Sequence, residues 1–172
     1  MRRFLFMVLG VVLMNAHQAI AAQQSVHSAI LQVTANIAGG ADRHNWTRVK
    51  SALADQITTD YTSLFGGNPV TQRADELVQN WSVFLPGFDS THHMVTSLMV
   101  TSVDGDSATA QANFTATHRI DKALWVLGGR YDYKLSKASG EWRVTSLKMT
   151  ALWETGDRSL VKQAAKRAAV KK

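Results

Sequence analysis

The chain has 172 residues, 45% of them hydrophobic and 19% charged, a composition that fits one globular domain and excludes an intrinsically disordered chain. It has no cysteine, which rules out disulfides, thiolate nucleophiles and Cys-ligated zinc. The formal net charge is +6, and the excess is concentrated toward the C-terminal end.

The first segment, "MRRFLFMVLGVVLMNAHQAIAAQ", opens with two arginines, runs apolar from Phe4 to Met14 and closes on Ala19-Ile20-Ala21. A basic start, a short apolar centre and an A-x-A site form the order of a secretory signal peptide, cut after Ala21. The apolar run is about 11 residues, against the roughly 20 that a membrane-spanning helix needs. No cysteine follows it to carry a lipid. The expectation is an exported protein, periplasmic or secreted, with residues 1–21 removed. Without Arg2 and Arg3, 17 of the 19 basic residues remain against 13 acidic ones, a net charge of +4.

Next, "QSVHSAILQVTANIA" carries Val26, Ile30, Val33 and Ile37 at spacings of four, three and four, one face of an amphipathic helix that Gly39-Gly40 should end. Trp46, Val49 and Leu53 at i, i+3 and i+7 predict a second helix in "DRHNWTRVKSALAD", capped by Asp42 or Asn45. "QITTDYTSLF" is a short β-rich stretch, and Gly66-Gly67-Asn68-Pro69 is a turn. A third helix is predicted in "TQRADELVQNWSVFLPG", with Thr71 as N-cap, Leu77, Trp81 and Phe84 on one face, and Pro86-Gly87 as the stop.

From residue 91 the period becomes two. "HHMVTSLMVTSV" ends at the turn Asp104-Gly105, "SATAQANFTATHRI" returns, "ALWVLGGRYDYKLSKA" is a third long strand, and Ser139-Gly140 turns into "EWRVTSLKMTALWE". Helices followed by a run of antiparallel strands argue an α+β fold with helices packed on one face of a curved sheet. Gly128-Gly129 inside a strand predicts a bulge or bend that helps the sheet curl. Residues 22–157 form the domain. The remaining "RSLVKQAAKRAAVKK", 158–172, has six basic residues and no acidic one, and reads as a frayed helix or a solvated tail able to touch an anionic surface. An exported protein rarely meets nucleic acid, so that partner is set aside.

Side-chain parity selects candidate functional residues. Ala108, Ala110, Ala112, Phe114, Ala116 and His118 share one strand face, with threonines and amides on the other, so His118 lies on the covered side. On the preceding strand both parity sets are mixed, and periodicity does not choose between His92 and His93. On the last strand Leu147, Met149, Ala151 and Trp153 form an apolar face. Asp42 either caps a helix or points into the space under the sheet. Five histidines follow the cleavage site, none at a familiar zinc-ligand spacing, so no metal site is expected.

The segments "ADRHNW", "TDY", "STHHMV", "ATHR", "GGRYDYKL" and "GEWRVTSLKMTALW" occur in the order seen in SnoaL-like proteins of the nuclear transport factor 2-like superfamily. The chain resembles that superfamily over roughly residues 25–156. The resemblance implies a conical α+β barrel: a curved, mostly antiparallel sheet wrapped around three N-terminal helices, with one central pocket. In pattern it is most similar to the scytalone dehydratase-like branch. The Asp and two His of that branch fall on Asp42, on His93 in "THH" and on His118 in "THR", and a pocket tyrosine falls on Tyr61 in "TDY". That branch has a tyrosine directly before the Asp, where this chain has Ala41; many relatives have an Asp before the helix Trp, where this chain has Asn45. Trp125, Arg130, Tyr131 and Trp153 are further candidates for the pocket wall.

The implied activity is a lyase or isomerase of the dehydratase type, acting on a small cyclic hydroxy-carbonyl compound without metal or organic cofactor. A His fixed by a carboxylate is suited to moving a proton next to a carbonyl. The alternative is a non-catalytic binding or accessory domain of the same fold. A homodimer is an expectation raised by the resemblance alone.

Overall fold

A computed structural model describes the backbone of residues 2–170 and the side chains from Ile20 to Val170, except that of Ala22. In chain order the elements are α1 (Arg2–Asp42), α2 (Trp46–Ser51), β1 (Leu53–Asp60), α3 (Thr62–Phe65), β2 (Val70–Arg73), α4 (Ala74–Phe84) with a 3-10 turn (Leu85–Gly87), β3 (Ser90–Asp104), β4 (Ser107–Ile120), β5 (Ala123–Ala138), β6 (Glu141–Gly156) and α5 (Leu160–Val170). The strands form one unclosed six-stranded sheet in the order β2-β1-β6-β5-β4-β3. Only the β1–β6 pair is parallel, and the other neighbours are antiparallel. This is the α+β architecture expected, with α1, α2 and α4 beneath the curved sheet.

Several local expectations need correction. Gly39-Gly40 does not end α1, which continues to Asp42. There is a packing reason for Gly40: a Cβ on it would lie 2.8 Å from Cγ2 of Val49, so glycine lets α2 approach. The helix is closed instead by His44, in the left-handed region at φ 52°. His44 N–H donates to Ala41 O at 3.1 Å and Asn45 N–H to Gly40 O at 2.8 Å, a helix C-terminal cap made without glycine. Asn45 then caps α2, its Oδ1 accepting from Arg48 N–H at 3.0 Å. Leu53 belongs to β1 rather than to the second helix. Thr71 lies in β2, opposite Thr58 of β1, and is not a cap. Arg73 takes that position, its N–H donating to Glu76 Oε2 at 3.3 Å.

The sheet curls where its ladder is interrupted. Register shifts fall in β3 between Thr96 and Met99 and between Val100 and Ser102, and across β5–β6 at Gly128/Gly129 and Lys134/Leu135. The glycine pair sits at a bulge, as expected, and a Cβ on Gly129 would lie 2.0 Å from Thr150 O.

The basic segment is not a solvated tail over its helical part. Leu160, Ala164 and Ala168 of α5 are buried, the first two packed with Phe88, Phe114 and Ile120 at one end of the sheet. Arg167 Nη2 donates to Asp89 at 2.7 Å. The earliest side chain packed on the core, among the described residues, is Val26. No helix among the described residues is long and apolar enough to cross a membrane.

Candidate active site

Asp42 is the last residue of α1, at the negative end of the helix dipole, where a carboxylate is disfavoured. Three donors from β3 offset this. Thr91 Oγ1 donates to Oδ1 at 2.9 Å, His93 N–H donates to Oδ2 at 2.7 Å, and His93 Nδ1 lies 2.6 Å from Oδ1. Burial alone would raise the carboxyl's pKa. The ring of His93, its backbone N–H and the Thr91 hydroxyl outweigh burial and bring it down to about 2. An ionised carboxylate only accepts, so Nδ1 of His93 carries a proton, and the ring nitrogen that can exchange a proton with a substrate is Nε2.

The structure shows why parity could not separate the two histidines. Thr91, His93 and Val95 turn toward the core, and so do Leu98 and Val100, because the bulge at Ser97 (φ 52°) shifts the alternation by one residue. His92 faces solvent. His93 lies opposite Ala116 on β4, whose short side chain leaves room for the imidazole.

His118 is 5% exposed and lines the same cavity. Its ring stands at 88° to that of His93, with centroids 5.5 Å apart. It is held between Phe88 (4.9 Å) and Trp125 (4.6 Å). Its buried Nδ1 has no hydrogen-bond partner of normal geometry among the described residues. Burial first, and the nearby His93 second, pull the His118 pKa down to about 4, against smaller opposing effects from the Trp125 backbone and Asp42. His118 is therefore a neutral ring at physiological pH.

The cavity measures about 160 Å³. That is close to the ~150 Å³ that accommodates benzene in an apolar protein interior. Its wall is mostly apolar and aromatic: Trp81, Phe84, Phe114, Leu127, Leu147 and Met149 surround the polar groups, with Leu64 and Phe65 of α3 also on the wall. Tyr61, Tyr131 and Tyr133 line it too. Burial pushes all three hydroxyls up, helped by Tyr131 beside Tyr61, by Asp42 near Tyr131, and by Tyr131 and Tyr61 near Tyr133. All three are neutral donors. Trp125 is fixed in the wall by Nε1–H donating to Glu154 at 3.0 Å.

Of the sequence candidates, Asp42, His93, His118, Tyr61, Trp125 and Tyr131 converge here. Arg130 and Trp153 do not. Arg130 has the opposite parity to Trp125, Leu127, Tyr131 and Tyr133 and is exposed on the outer face. Trp153 is displaced by the β6 bulge at Leu152: it pairs with Gly128, lies over it on the outer face, and is 49% exposed. Thr91 and Tyr133 join the site beyond the sequence candidates, and each shares parity with an adjacent candidate, Thr91 with His93 and Tyr133 with Tyr131. Phe88, behind His118, lies in a loop where periodicity carries no signal. No group of three or more His, Asp or Glu suited to a metal ion occurs among the described residues.

A family described as the SnoaL-like domain matches residues 24–148. No curated protein sequence matches the chain. Among solved structures, Kfla4162 from Kribbella flavida superposes with a TM-score of 0.74 at 25% identity, covering 81% of this chain and 99% of that one. A candidate scytalone dehydratase from Novosphingobium aromaticivorans gives 0.68 at 15% identity, covering 81% and 92%. The hexachlorocyclohexane dehydrochlorinase LinA-type3 from Novosphingobium barchaimii gives 0.66 at 17% identity, covering 79% and 92%. The last two likenesses, at such identities, concern the fold.

Proposed function

We propose that this chain, which belongs to the SnoaL-like domain family, is a cofactor-independent lyase or isomerase that removes a proton next to the carbonyl of a small, cyclic hydroxy-carbonyl compound. The observation that carries this reading is the 2.6 Å contact between His93 Nδ1 and the ionised Asp42 at the wall of an aromatic cavity. Two of its structural neighbours are described as a dehydratase and a dehydrochlorinase, both elimination enzymes by name.

In this mechanism Nε2 of His93 takes the proton α to the carbonyl, and Asp42 stabilises the imidazolium that forms. The C–H electron pair moves into an enolate, whose oxygen accepts hydrogen bonds from the neutral hydroxyls of Tyr61 or Tyr131. Reforming the carbonyl expels the β-hydroxyl, which takes the proton back from His93 and leaves as water. His118 stays neutral and contributes an N–H dipole beside the leaving oxygen rather than a full proton. In the isomerase variant the proton returns to a different carbon. General acid–base catalysis of this kind is worth ~10²–10⁴-fold in rate.

Export completes the proposal: the protein works in the periplasm or outside the cell after loss of residues 1–21. The absence of core contacts before Val26, among the described residues, supports this, since cleavage after Ala21 leaves the packing intact.

Turnover of a panel of cyclic β-hydroxy ketones tests the reaction. Alanine at Asp42, His93 or His118 should abolish it while the fold persists by circular dichroism; full activity in His118→Ala would overturn the assignment. Ala41, 5% exposed at the cavity wall, favours a second reading, ligand binding without turnover. Under that reading the same compounds bind by calorimetry and are recovered unchanged.

A further inference from the structure

We propose that Thr91 is a positioning residue for the proton-transfer site: its hydroxyl locks the rotation of the Asp42 carboxylate and thereby the ring of His93. This rests on the reading of His93 as the base. Among the described residues, the Asp42 carboxylate accepts three hydrogen bonds, all from β3, two from His93 itself and the third from Thr91. The two His93 bonds meet different oxygens, Nδ1 at Oδ1 and the backbone N–H at Oδ2, and both depend on the group that the carboxylate is meant to orient. Among the described residues, Thr91 is the one donor to the Asp42 carboxylate outside that pair. It shares Oδ1 with the imidazole, so it fixes the oxygen that sets the ring's direction. The Thr91 side chain is itself held, since the residue is only 9% exposed.

The position in the sheet makes the residue more than a local support. Thr91 and His93 are successive inward residues of β3, and Thr91 lies directly opposite His118 of β4. One threonine therefore adjoins both imidazoles in the backbone register while bonding the carboxylate. A hydroxyl is needed there because the Asp42 side chain is only 10% exposed, and a carboxylate largely taken out of water needs donors from the protein. Valine has nearly the same shape and lacks the donor; serine keeps the donor and lacks the methyl.

Nuclear magnetic resonance on the full chain, without substrate, tests this. The 13C signal of the Asp42 carboxyl and the 1H signal of His93 Nδ1–H are followed in the unaltered protein, Thr91→Val and Thr91→Ser. The expected result is that Thr91→Val raises the Asp42 midpoint above its value of about 2, by roughly 0.5–1 pH unit, and speeds exchange of the His93 proton, while Thr91→Ser restores both. An unchanged midpoint and exchange rate in folded Thr91→Val overturns the proposal, as does a serine variant that behaves like valine. If the valine variant does not fold, the Thr91 hydroxyl proton of the unaltered protein decides. A slowly exchanging resonance close to the His93 ring protons supports the lock, and a freely exchanging one refutes it. Because no turnover is measured, loss of the elimination assignment and loss of this one are told apart.

Discussion

His118 links the chemistry of the cavity to the stability of the fold, and the link has a calculable size. The unfolded ring titrates near pH 6.5, while burial holds the folded one at about 4. As pH falls below 6.5 the unfolded chain takes up a proton that the folded chain refuses. The stability tied to this ring is therefore complete above pH 6.5, is lost as pH falls toward 4, and changes no further below that. Integrated between pH 7 and pH 4.5 the loss is about 2 kcal/mol. Asp42 does not blur the comparison, because its own loss sets in as pH falls through the ordinary value of 3.8 and runs down to about 2, below the range compared. Urea unfolding at several pH values across that range, for the unaltered protein and for His118→Phe, reads the difference directly. The variant should lose about 2 kcal/mol less stability than the parent between pH 7 and pH 4.5. Any constant cost of fitting phenylalanine between Phe88 and Trp125 cancels within each protein. Parallel profiles for the two proteins would refute the claim that His118 is buried and neutral.

Three other outcomes follow from the packing. Leu160→Ala should cost about 3 kcal/mol in unfolding free energy, because the residue is 1% exposed and anchors α5; a tail free in solvent would leave stability unchanged. Gly129→Ala should cost ~3 kcal/mol or abolish soluble expression, since its Cβ would stand 2.0 Å from a backbone oxygen, and normal unfolding of that variant would show that the bulge is not as described. Protein recovered from the producing cell's exported fraction should begin at Ala22 by mass spectrometry, and retention of Arg2 would contradict cleavage.

The parts of the fold legible in the sequence were those governed by one strong period. β4 alternates without interruption, so the placement of His118 followed from residue order alone. The helices α1 and α4 were visible as apolar stripes. Legibility failed wherever a single residue was inserted into a strand. The bulge at Ser97 reverses the parity of β3, which hid the choice between His92 and His93, and the bulge at Leu152 turns Trp153 out of the face that its parity suggested. Ends failed for a different reason. The helix stop at His44 uses a non-glycine residue in the left-handed region, and the site of the stop at Gly39-Gly40 is taken up by packing against Val49 instead. The α5 segment is basic and Ala-rich, and the tertiary contacts of Leu160, Ala164 and Ala168 distinguish it from a tail. The pairing of Asp42 with His93, 51 residues apart, was implied by resemblance; no local pattern carries it. Its third partner, Thr91, became visible only once the donors to each carboxylate oxygen were known.

In the proposed reaction His93, oriented by Asp42, takes a proton from carbon. The direct measurement is exchange of the α-hydrogens of a cyclic β-hydroxy ketone in deuterated water, followed by 1H nuclear magnetic resonance with the unaltered protein and with His93→Gln. The expected result is enzyme-dependent loss of the α-proton signal, slowed ~10²-fold or more in the variant. Equal exchange rates with and without the His93 imidazole would contradict it.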